Sequence, residues 1–174
     1  MDPVERAAHL LELHTPGAPL LAPNPWDIGS AKLLESLGFE ALCTTSSGAA
    51  AAQGGLDGSL DRDQAIASAG AIATAVTVPV SADLENGFGD DPSDTAETIR
   101  LAMAAGLSGG SIEDYTLRAD DPIYPIEQPR NGWRPPRRWH TPTACSSCSR
   151  PAPRTTCAAA MISPTRSPAC RRTR

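Results

Sequence analysis

The chain has 174 residues, 20 of them acidic and 15 basic, with a formal net charge of −5. This length suits one domain with a sizeable core. No apolar run is long enough to cross a bilayer, and the opening "MDPVERAAHLLELH" lacks the basic-then-apolar build of a secretory signal, so a cytoplasmic protein is expected.

The elements of residues 1–128 alternate in type. After an N-terminal helix, "PLLAPN" reads as a first strand and "DIGSAKLLESLG" as a helix capped by Asp27 and closed by Gly38. "EALCTTS" is the second strand. "LDRDQAIASAGAIATAV" is an alanine-rich helix with acids in its first turn. "TVPVSADLE" is the third strand, "DPSDTAETIRLAMAAG" a helix closed by Gly106, and "GLSGGSIED" the fourth strand. Strand and helix repeated with short links imply a parallel sheet with right-handed crossovers. The expected fold class is therefore α/β: half of a (β/α)8 barrel or a small open sheet, with its site at the carboxyl ends of the strands.

Polar residues gather at those ends. Asn24 and Asp27 follow the first strand, and Thr45, Ser46, Ser47 and Gly48 the second. Asp83 and Glu85 follow the third, and Glu113 and Asp114 the fourth. In an extended strand Asp83 and Glu85 share a face, because side chains alternate with period two. Like charges that close need a cation or a proton between them. Neighbouring strands lie about 5 Å apart, so Asp83, Glu85 and Glu113 are expected to surround one ion. Hard oxygen donors suit Mg2+, or Mn2+ in its place, and the near absence of His and Cys at these ends argues against zinc.

The stretches "PNPWDIGSAKLLESLGFEALCTTSSGAAAAQGGLDG", "PVSADLENGFGD" and "GGSIED" resemble, in order and spacing, the isocitrate lyase and phosphoenolpyruvate mutase superfamily. The resemblance implies a (β/α)8 barrel that forms homo-oligomers when full-length. It also implies Mg2+-dependent chemistry on a small 2-oxo or 2-hydroxy carboxylic acid, breaking or making C–C or P–C bonds through an enolate-like intermediate. By motif, Asp83 resembles the direct metal ligand, and Glu85 and Glu113 resemble acids that hold the metal, often through water. Ser46, Ser47 and Gly48 resemble the loop that meets the substrate carboxylate. Asp57, in "GGLDG", resembles the mutase branch's mobile-loop aspartate, though a turn residue beside Gly58 is an equal reading. The lyases' basic lid with its catalytic cysteine is replaced here by "YTLRADDPIYPIEQ", which implies a mutase-like branch and leaves lyase, mutase and hydrolase chemistry open.

A division in charge separates this part from the rest. Residues 1–128 hold all 20 acids and five basic residues, a balance of −15; residues 129–174 hold ten arginines and no acid, a balance of +10. Eight of the 17 prolines and four of the five cysteines also lie after residue 128. Read literally, this is a disordered basic, low-complexity tail. "CSSC" has no second pair at a zinc-like spacing, and Trp133 and Trp139 are too few aromatics for a nucleic-acid surface, so both partners are weak readings. A non-enzymatic scaffold with a nucleic-acid-binding tail is the alternative.

Out-of-frame translation of a GC-rich gene explains the composition better. The last base of the Met161 codon joined to the first two of the Ile162 codon spells GAT, aspartate, one frame away, and the same reading of Trp133–Arg134 gives alanine or glutamate. Read in that frame, Ser149–Thr173 permits a sequence resembling the superfamily's fifth strand and its substrate-binding arginine. The chain is expected to be inactive and poorly packed, with an open edge at its fourth strand.

Overall fold

The structure is a computed structural model that describes residues 2–118 and 120–124, together with two short strands at 139–140 and 158–162. Helix α1 (Pro3–Glu12) starts at an Asp2 capping box. Helix α2 (Ile28–Ser36) is capped by Asp27, as expected, and leads into strand β1 (Leu42–Cys43). Helix α3 (Ser46–Ala52) follows directly, capped by Thr45. Helix α4 (Arg62–Ala75) begins at Asp61 and leads to strand β2 (Val80–Asp83). Helix α5 (Pro92–Ala104) begins at Asp91 and leads to strand β3 (Gly109–Ile112). Gly38 and Gly106 close α2 and α5 with φ of 90° and 86°, a conformation that favours glycine.

β1 pairs in parallel with β2 (Leu42 opposite Val80), and β2 in parallel with β3 (Ala82 opposite Gly110). Helices α3 and α4 lie between β1 and β2 in the chain, and α5 between β2 and β3. Leu42, Val80 and Ala82 from the sheet, and Leu84 just after β2, meet Ile66, Ile72 and Ala102 from α4 and α5 in one buried cluster. Gly110 packs closely there: a Cβ on it would lie 2.8 Å from Leu84 Cδ1, so a larger residue would make that side chain shift.

Three expectations need correction. Residues 19–24 form no ladder; they run beside β1, with Cys43 N–H donating to Pro23 O at 3.0 Å. Pro19 and Pro23 lack the N–H groups a ladder needs. Residues 46–48 are the first turn of α3 rather than a loop, because Thr45 caps a run of four alanines. The far edge of β3 is not open. Strand β5 (Ala158–Ile162) pairs with it antiparallel, Gly109 opposite Met161, and strand β4 (Trp139–His140) pairs antiparallel with β5. The apolar run AAAMI is long enough to satisfy the backbone groups of that edge. Its direction is opposite to that of a further βα unit. The remaining residues of the tail, on which the disorder reading falls, lie outside the described residues.

One side chain ties the end of α2 to the entrance of β2. Glu35 Oε1 accepts from Thr77 N at 2.6 Å, Thr77 Oγ1 at 2.7 Å and Val78 N at 3.3 Å. The Thr77 hydroxyl, then its N–H, hold the Glu35 carboxyl below its ordinary pKa. A lowered folded-state pKa gives stability that is present above the ordinary carboxylate range and is lost as pH falls through the folded value. Glu35→Ala is expected to cost about 1 kcal/mol at pH 7, and the difference should shrink in acid. Urea denaturation at pH 7 and pH 3 checks both halves; equal midpoints for variant and wild type at pH 7 would contradict it.

Candidate active site

Asp83 is the last residue of β2, and its carboxylate is fixed from two sides. Oδ2 accepts from the N–H of Ser46 at 3.0 Å and from its hydroxyl at 2.8 Å, and Oδ1 accepts from Glu85 N at 3.1 Å. Asp83 N in turn donates to Thr44 Oγ1 at 3.1 Å, so the ends of β1 and β2 are locked together. Behind Asp83 lies a small pocket lined by Pro25, Thr44, Ser46, Leu60 and Ile72, with room for about one water.

Glu85 reaches the site by a route that alternation does not describe. The strand stops at Asp83, and Glu85 takes a left-handed φ of 47° in the turn that follows. For a side chain other than glycine this conformation costs of order 1 kcal/mol, and such strain concentrates at functional sites. Glu85 is only 5% exposed. Burial first, then the charges of Asp83, Asp57 and Glu113, push its pKa up to about 7. Glu113 is raised too, by burial, then by Asp83, Asp57 and Asp114. Its N–H donates to Glu85 O at 2.6 Å, which joins the end of β3 to the same turn.

The structure therefore brings together Asp83, Glu85 and Glu113. Asp57 is an exposed turn residue beside Gly58, yet its charge is felt by both glutamates. The groups expected to meet a carboxylate are partly engaged: Ser46 serves Asp83, and Gly48 N–H donates to Thr45 Oγ1 at 3.4 Å, while Ser47 is exposed. Gly48 also sits tightly, since a Cβ there would lie 3.0 Å from Trp26 Cβ.

Among the described residues, no three His, Cys, Asp or Glu side chains are grouped in a way that could hold a metal ion. The expected ligand set converges electrostatically without closing into a coordination shell. Its chemistry nevertheless fits a hard dication. The donors are oxygen alone, and their mutual repulsion is what such a charge would relieve. Sequence reasoning missed Thr44, Asn86, Asp90, Arg118 and Tyr124, which orient the strand ends; the polar spacing of "NGFGDD" and "YTLRADDPIY" hinted at the last four.

Parallel βα units with acids at the carboxyl ends of the strands are the layout of a barrel enzyme's catalytic face. The family model described as phosphoenolpyruvate phosphomutase matches residues 10–131, and the chain belongs to that family, within the phosphoenolpyruvate mutase and isocitrate lyase superfamily. The chain is 34% identical over 113 residues to 2,3-dimethylmalate lyase of Eubacterium barkeri, covering 64% of this chain and 39% of the lyase. It is 38% identical over 104 residues to an uncharacterised protein of Mycobacterium tuberculosis H37Rv, covering 59% of this chain and 39% of that protein. Among solved structures, a candidate lyase/mutase of Burkholderia cenocepacia J2315 superposes with a TM-score of 0.72 at 49% identity, over 75% of this chain and 47% of that one. The chain thus spans about two fifths of the curated relatives it matches. The structural neighbours are members of a TIM-barrel superfamily, and the parallel part of this fold is the N-terminal half of such a barrel.

Proposed function

We propose that residues 1–128 carry the metal-binding half of a Mg2+-dependent lyase- or mutase-type site, with Mn2+ as the substitute ion. Its substrate is a small 2-oxo or 2-hydroxy carboxylic acid, in which a C–C or P–C bond is broken or made through an enolate-like intermediate. The observation that carries this reading is the convergence of Asp57, Asp83, Glu85 and Glu113 at one mouth, with Glu85 buried and its pKa raised to about 7. Such crowding costs the fold stability, and it suits a site that takes up a dication.

Asp83, Glu85 and Glu113 would hold the ion, which when bound supplies Lewis-acid polarisation of a substrate oxygen. The chain's own groups do the rest. Ser46 and Thr44 fix the Asp83 strand end, and Ser46, Ser47 and Gly48 face the substrate carboxylate from the start of α3. Asp57 lies on the turn nearest the reacting group. Relatives named as a 2,3-dimethylmalate lyase and a phosphoenolpyruvate phosphomutase of Streptomyces platensis act on small carboxylic acids, which supports the substrate class.

We further infer that residues 129–174 are translated out of frame and that this chain is inactive. The composition of the tail supports the first inference. The second rests on charge: among the described residues, Arg62 and Arg118, which reach the loops around the mouth, are paired with Asp94 at 3.3 Å and Asp90 at 2.7 Å. A second charged group on the substrate then meets no unpaired arginine in those loops among the described residues.

Sequencing the gene across the Gln128 codon, then assaying a frame-restored protein, tests this reading. A single-base shift and Mg2+-dependent turnover of an oxo-acid that Asp83→Ala abolishes are expected. A confirmed frame with turnover by this chain would overturn the inactivity, and unchanged turnover in Asp83→Ala would overturn the metal assignment.

A further inference from the structure

The turn that carries Glu85 is held by an interaction chain that reaches the far side of the mouth. Three residues within four positions have left-handed backbone, Glu85 at φ 47°, Gly87 at 87° and Phe88 at 60°, and two of them are not glycine. Backbone of this kind persists only where its surroundings over-determine it. Here they do. Asn86 is buried; its Oδ1 accepts from Phe88 N at 3.0 Å, and its Nδ2 donates to the Tyr124 hydroxyl at 3.1 Å. That hydroxyl donates to Asp90 Oδ1. Asp90 Oδ2 accepts from Arg118 Nη1 at 2.7 Å, and the Arg118 guanidinium lies 5.9 Å from the centre of the Tyr124 ring.

Tyr124 is fixed at its other end as well. Its N–H donates to Asp114 O at 3.0 Å, directly after Glu113. Its backbone therefore grips the end of β3, while its hydroxyl grips the turn after β2. These two strand ends carry Glu113 and Glu85.

We propose that Tyr124, aligned by Asp90 and Arg118, is a positioning residue that sets the Glu85 turn against the Glu113 strand end. This rests on the carboxylate site proposed above, because spacing matters only if the two acids act together. The hydroxyl is the working part. A ring without it would still pack but would release the Asn86 amide, leaving the left-handed turn held by the Thr98 hydroxyl on Gly87 O at 2.7 Å, by Gly87 N–H on Leu84 O, by Glu85 N–H on Asp83 Oδ1, by Glu113 N–H on Glu85 O and by Arg62 on Phe88 O at 3.3 Å.

Amide hydrogen exchange on the full chain tests this without any metal. Tyr124→Phe is expected to speed exchange of the Gly87 and Phe88 amides about tenfold, the scale of one lost hydrogen bond, and to leave the buried amides of Ile72 and Ala73 in α4 unchanged. Asp90→Asn, which keeps an acceptor for the hydroxyl, should give a smaller effect. Exchange at Gly87 and Phe88 within twofold of wild type in Tyr124→Phe would overturn the proposal. Equal acceleration in α4, or a wild-type turn without protection, would do so too. A Mn2+ titration run beside it separates the two readings. If wild-type protein binds no Mn2+, the proposed function fails while the exchange result still decides the role of Tyr124.

Discussion

Gly87→Ala is expected to destabilise the fold by about 3 kcal/mol and to misplace Glu85. Two costs combine. Gly87 holds φ at 87°, a region that costs a residue with a Cβ about 1–2 kcal/mol. The added Cβ would also lie 2.5 Å from Thr95 Oγ1 and 3.0 Å from Thr95 Cα, and the second of these is backbone of α5 that cannot swing aside. Relief requires the turn to move away from α5, which would break the bond from the buried Thr98 hydroxyl to Gly87 O. Because Gly87 N–H closes the turn onto Leu84 O at 2.9 Å, Glu85 moves with it. Chemical denaturation gives the loss directly; a change under 1 kcal/mol would mean that the turn is not packed against α5 as described.

Glu85→Gln should act in the opposite direction, stabilising the metal-free fold at pH 8 by about 2 kcal/mol and leaving it unchanged at pH 4. The Glu85 pKa of about 7 in the folded chain lies above the ordinary 4.5. A raised value means that the stability contributed by the protonated form is complete below 4.5 and is lost as pH rises through about 7. Above that range the buried carboxylate is ionised beside Asp83, Asp57 and Glu113, and the neutral amide avoids that repulsion. The full shift would correspond to about 3 kcal/mol, reduced here because one of the charges that raise it, Asp57, is exposed and screened by solvent. Thermal melts of both proteins at pH 4, 6 and 8 in a chelator check the curve. A variant less stable than wild type at pH 8 would show that Glu85 is not held against its charge.

Local signals made much of this architecture legible. Asp27 caps α2, acids open α4, Gly38 and Gly106 end α2 and α5, and the apolar runs around Val80 and Gly109 form the parallel ladder. Asp83 and Glu113 stood at strand ends because the strands ended where their apolar runs did. The failures have physical causes. Alternation assigned Asp83 and Glu85 to one face, but a left-handed turn, not an extended strand, brings them together, and no period describes such a turn. Helix α3 was hidden because Thr45, Ser46 and Ser47 look like a loop until Thr45 is read as a cap for the alanines after it. The side chains of the Tyr124 network meet across separations of 28, 34 and 38 positions, beyond the reach of any local pattern. The pairing of β5 with β3 was missed because an edge strand accepts an apolar partner whatever frame it was translated from.

The central claim is that the acids at these strand ends form a site for a dication. Calorimetric titration of Mn2+ into this chain at pH 8, beside the same titration of Asp83→Ala, tests it most directly. One saturable site in the wild-type chain that disappears in Asp83→Ala is the predicted result. No heat of binding in the wild type, or the same isotherm in both proteins, would contradict it.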